Sequence, residues 1–76
     1  MTCRPYWITI EGRLGVGVTA QNDQEALAIA APALGTSEAR SVTPISTLEE
    51  LDQRHVVPNM GNWLKRGIWF PQGFGQ

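Results

Sequence analysis

"YWITIEGRLGVGVTA", residues 6–20, decides the fold. Tyr6, Ile8 and Ile10 alternate with Trp7, Thr9 and Glu11, the period of two expected of a strand, in residues whose branched or aromatic side chains suit a pleated surface. Gly12, Arg13, Leu14 and Gly15 supply turn chemistry, after which Val16, Val18 and Ala20 resume the alternation against small partners at Gly17 and Thr19. A β-hairpin is predicted. Trp7 then points to the face opposite Tyr6. The absent side chains of Gly15 and Gly17 leave room on the second strand for a ring such as Trp7 to close over it.

Beyond the hairpin the period changes. In "NDQEALAIAA", residues 22–31, Asn22 is an N-cap and Glu25 follows three residues later, a relative of the capping box with acids in the first turn. Ala26, Leu27, Ile29, Ala30, Ala33 and Leu34 make an apolar stripe composed largely of alanine, which allows a helix to approach a sheet closely. Pro32 removes a backbone donor, so the regular helix is expected to stop or bend near Ala31, with Gly35 closing the segment. Val42, Thr43 and Ile45 read as a short strand that Pro44 confines to a sheet edge. A right-handed crossover places that strand beside the first, giving the order 2-1-3 with antiparallel neighbours. Thr47 with Glu50, or Ser46 with Glu49, then caps a short second helix whose Leu48, Leu51 and His55 face inward and which ends before Pro58. Asn62 caps one helical turn over residues 63–66 that Gly67 ends, and Ile68, Trp69 and Phe70 have room to form a fourth strand.

The reading is therefore a single α+β domain over residues 1–76. It has a three-stranded antiparallel sheet open to a fourth strand, one main helix on a face and a short second helix. Residues 71–76, punctuated by Pro71, Gly73 and Gly75, read as a mobile tail apart from Phe74.

The totals limit what such a domain does. A chain of 76 residues has room for one core and buries only about 60 % of the surface that its unfolded form exposes. A hydrophobic content of 42 % against 17 % charged residues excludes a disordered chain. Cys3 is the only cysteine, which rules out an internal disulfide and points to a reducing, cytoplasmic setting. No apolar run is long enough to span a membrane and no export signal is visible, so neither fate is expected. One histidine and one cysteine at opposite ends are too few for structural zinc, and no cofactor fingerprint is present, so neither metal nor cofactor is expected. The G-x-x-G of residues 12–15 joins two strands rather than opening a helix, which excludes a dinucleotide cradle and argues against a nucleic-acid clamp. Ser46, Asp52 and His55 are the residue types of a hydrolase triad, but a surface or capping histidine is the stronger reading in so small a chain. No enzymatic activity is expected.

Charge and aromatic mass are uneven. All seven acidic residues lie at or before Asp52 with three arginines, a balance of −4; Arg54, Lys65 and Arg66 follow, a balance of +3, together with four of the six aromatic residues. Trp63, Trp69 and Phe70 either cover the sheet or stay in part exposed beside the cations, and the two roles are compatible. The expected function is a non-enzymatic binding protein that engages a protein partner through Trp63, Lys65, Arg66, Trp69, Phe70 and Arg54. Inhibitors of host defence complexes carried by phages and mobile elements, such as anti-CRISPR proteins, offer an analogy by size alone. The alternative is a nucleic-acid-binding accessory protein that uses Arg54, Lys65 and Arg66 with tryptophan stacking, against which the acidic pI of about 5.6 counts. An edge strand and exposed rings also leave a homodimer open.

Overall fold

The structure, a computed structural model, describes residues 2–12 and 14–71. Arg13 of the predicted turn and residues 72–76 of the predicted tail, including Phe74, lie outside the described residues. The elements in chain order are β1 (Arg4–Ile10), β2 (Val16–Ala20), α1 (Asp23–Leu34), β3 (Ala39–Pro44) and β4 (Gly67–Phe70). The fold is α+β, with one antiparallel sheet in the order β3-β1-β2-β4. The expected order 2-1-3 survives as part of this sheet. β4 adds beside β2, so β1 and β2 are both interior and every residue of β2 is buried.

Each face of the sheet carries its own core, as the alternation of β1 requires. On one face Tyr6, Ile8, Ile10, Val16 and Val18 meet Ala26, Ala30 and Ala33 of α1. The three alanines follow helical spacing and let the helix axis come close to the strands. Leu27, expected in the same stripe, is instead 37 % exposed, because it projects from the side of a narrower line of alanines. Asn22 caps the helix as expected, its Oδ1 accepting the Glu25 N–H at 2.8 Å, and Glu25 Oε1 accepts the Gln21 N–H at 3.0 Å. The helix does not stop at Ala31. It runs through Pro32 to Leu34, with Gly35 as C-cap. Ala28 and Pro32 both lie on the exposed side, where the carbonyl that loses its donor faces solvent rather than the core.

On the other face Ile45, Leu51, Val56, Trp69 and Phe70 form a second core with Trp7, Leu48, Val57, Met60 and Trp63 against it. The covering segment is not the expected second helix. It holds single 3-10 turns at Leu48–Glu50 and Val57–Asn59, and Leu51 between them is extended. Two carboxylates account for this: the expected Thr47–Glu50 capping box forms and starts the first turn, and Asp52 stops it from continuing. Glu50 Oε2 accepts the N–H groups of Ser46 and Thr47 at 2.6 and 2.8 Å, and Asp52 Oδ1 accepts those of Arg54 and His55 at 2.8 and 2.9 Å. Asp52 thereby satisfies donors that a continuing helix would have used, and the chain turns instead. Leu51 points inward as expected, but the second inward position falls to Val56, fully buried, and His55 is exposed.

Gly15, just before β2, and Gly17, within it, explain how the rings reach the sheet. A Cβ on Gly15 would lie 2.7 Å from both the Trp7 ring and the Ile8 carbonyl oxygen, and one on Gly17 would overlap the six-membered ring of Trp69. Trp7 covers part of the gap, as expected, and Trp69 covers the rest. Trp69 reaches that face because the β2–β4 register shifts between Gly17, opposite Phe70, and Val18, opposite Ile68.

Candidate functional site

The C-terminal segment divides into a buried part and a presented part. Trp69 is 1 % exposed and Phe70 9 %; their rings stack obliquely on Trp7 with centroids 6.1 and 5.7 Å away. Of the two roles anticipated for these rings, both take the covering one. The Trp69 Nε1–H is buried with no acceptor among the described residues, so the indole is held there for its area and shape rather than for a hydrogen bond. Trp63 is half-buried and meets Trp69 edge-on, at 6.5 Å and 87°.

What remains is a turn over residues 62–66. Asn62 Oδ1 accepts the Leu64 N–H at 3.0 Å and the Asn62 carbonyl accepts the Lys65 N–H at 3.3 Å, so Asn62 starts a turn as expected, but the turn is a single reversal of the chain and not the helical turn expected over residues 63–66. Gly67, at φ +127°, ends it and begins β4. Three contacts fasten this turn to the domain. The Thr19 hydroxyl, buried in β2, donates to the Trp63 carbonyl at 2.5 Å. The Gly61 N–H donates to the Trp69 carbonyl at 2.6 Å. Arg66 Nε donates to Glu25 Oε1 at 3.0 Å, joining the turn to the start of α1. This last contact holds the Glu25 carboxyl below its ordinary range, helped by the Gln21 N–H, and raises Arg66 in turn.

At the tip Leu64 is 81 % exposed, far more than any other large apolar side chain described. Lys65 beside it is exposed. Of the residues expected to bind a partner, Trp63, Lys65 and Arg66 therefore come together, with Arg66 already engaged by Glu25. Arg54 is exposed on a different loop, the one turned by Asp52. Leu64 was not anticipated: it sits between a tryptophan and a lysine in a stretch without periodicity, and only the direction of the turn shows that it points outward. Thr19 and Glu25, the anchors, belong to elements distant in sequence and carry no local signal.

The remaining chemical candidates are superficial. His55 Nδ1 lies 3.2 Å from Asp52 Oδ2 with both side chains open to solvent, and the Asp52 carboxyl is lowered chiefly by the His55 and Arg54 N–H groups. Glu50 is lowered likewise by the Thr47 and Ser46 N–H groups. At the opposite end of the hairpin an open depression is lined by Ile10, Glu11, Ser37, Glu38, Ala39 and Arg40, with Arg40 and Glu11 paired at 3.6 Å. Among the described residues no group of three or more His, Cys, Asp or Glu is placed to hold a metal ion, and no helix is long and apolar enough to cross a membrane. No family model matches this chain, and neither a curated protein nor a solved structure matches it.

Proposed function

We propose that the protein is a non-enzymatic binding protein that docks onto a protein partner through the turn of residues 62–66. One observation carries this reading: Leu64 is exposed at the tip of a turn that is tied to β2, β4 and α1. An exposed leucine on a loose loop would lose entropy on binding. On a turn already fastened that loss is smaller, which favours use as an anchor. Lys65 adds a cation at the rim of the contact, and Arg66 supplies a second that is shared with Glu25. The nucleic-acid reading is weaker, because the Trp69 ring is covered and has no face free for a base and the chain as a whole is acidic. A cytoplasmic location and an inhibitory role remain parts of the proposal that rest on composition and size.

The test is parallel capture from a host-cell lysate with the wild type, Leu64→Asp/Lys65→Glu and, as a control on another face, Leu27→Asp. A protein retained by the wild type and the control but lost by the double variant supports the reading. Identical recoveries from all three baits sink it. Recovery of nucleic acid with a steep loss as salt rises replaces it with the alternative.

A further inference from the structure

We infer that Glu25 is a clasp that makes the first turn of α1 and the 62–66 turn open and close as one unit. A single oxygen makes the argument. Glu25 Oε1 accepts both the Gln21 N–H, at 3.0 Å, and Arg66 Nε, at 3.0 Å, so the group that completes the helix cap is also the group that holds the turn. Nearby, the Trp63 carbonyl is held by Thr19, at the end of β2 that leads directly into Gln21 and Asn22. The helix start is thus joined to the turn through one side chain and through one short stretch of backbone. If Glu25 rotates away to release Arg66, it also leaves the Gln21 N–H without its acceptor; if the helix cap frays, Arg66 loses its anchor.

Coupling of this kind is reciprocal, so a change made at either end must be felt at the other. The mechanics concern the free protein. The consequence for docking, that the state of the helix cap sets how firmly Leu64 is presented, rests on the reading of the 62–66 turn as the binding surface.

Native-state amide hydrogen exchange by NMR tests the clasp without any partner. Arg66→Ala is expected to raise exchange at Gln21 and Ala26, and Glu25→Ala at Gly61, Leu64 and Lys65. Each rise should be about two- to five-fold, the range of exposed ion pairs, while the Ile8 and Val18 amides keep their protection. The Glu25→Ala/Arg66→Ala pair is expected to add less than the sum of the single effects. Glu25→Gln, which keeps an acceptor oxygen without the charge, is expected to fall between wild type and Glu25→Ala at Leu64 and Lys65. Exchange that rises only at the mutated end, or fully additive effects, overturns the clasp. Failure of the capture experiment with the clasp intact would remove the docking surface and leave the coupled unit standing.

Discussion

Gly17 adopts backbone angles open to any residue, so space and not conformation accounts for its identity. The Trp69 ring lies where a Cβ would be, and Trp69 is itself buried, so the ring has nowhere to retreat. Gly17→Ala is therefore expected to destabilise the protein by roughly 1–3 kcal/mol, the usual cost of overpacking, as read from the urea unfolding midpoint. An unchanged midpoint would mean that the indole can swing clear. Paired glycines on a strand next to a tryptophan-bearing strand announce a gap and one ring to fill it. That Trp69 takes part depends on a register shift in a strand far along the chain, which no local pattern encodes. The same limit hid Leu64, whose direction follows from hydrogen bonds by Asn62 and not from the residue type.

Elements were legible where local chemistry and tertiary packing agree. The hairpin, the Asn22 cap and the edge strand broken at Pro44 all follow from short-range signals. Two expectations failed where those signals compete. Of the two outcomes expected at Pro32, a stop or a bend near Ala31, the stop does not occur: α1 continues to Leu34 because the missing bond lies on its solvent side. That bond still costs. Pro32→Ala restores a donor to the Ala28 carbonyl and is expected to stabilise the protein by on the order of 1 kcal/mol, below the ~3 kcal/mol of a central helix position, because Pro32 lies in the last turn. Asn22→Ala is expected to cost about 1 kcal/mol through loss of the cap. Thermal unfolding of both variants checks the pair of opposite signs. The second failure, the helix expected after Thr47, arose because a sequence that starts a helix with Glu50 also contains Asp52, whose carboxylate captures the N–H groups of Arg54 and His55. Capping motifs announce a start and say nothing of how long the helix lasts.

At the scale of the whole molecule three carboxylates, Glu25, Glu50 and Asp52, all have lowered values in the folded state, each through hydrogen bonds that its ionised form accepts. A lowered folded value means that the unfolded chain binds protons more readily. The stabilisation is complete above the ordinary values of 4.5 for glutamate and 3.8 for aspartate and drains away as pH falls through the lower folded values. Stability against urea is thus expected to be level, as far as these groups decide it, from about pH 6 to 8 and to fall below about pH 4.5. Glu50→Gln should make that fall shallower; a fall of unchanged depth would count against its part. These groups tie down the loops that cover the second face and the turn at its edge, so that face is expected to loosen before the α1 side. Its three indoles are contiguous, Trp69 lying 6.1 Å from Trp7 at 36° and 6.5 Å from Trp63 at 87°. At such separations the ultraviolet transitions of neighbouring indoles mix, and an oblique, handed arrangement splits them into paired bands of opposite circular dichroism. The chain thereby carries an optical gauge of its own assembly, one that fades when the indoles part even while the helix signal persists.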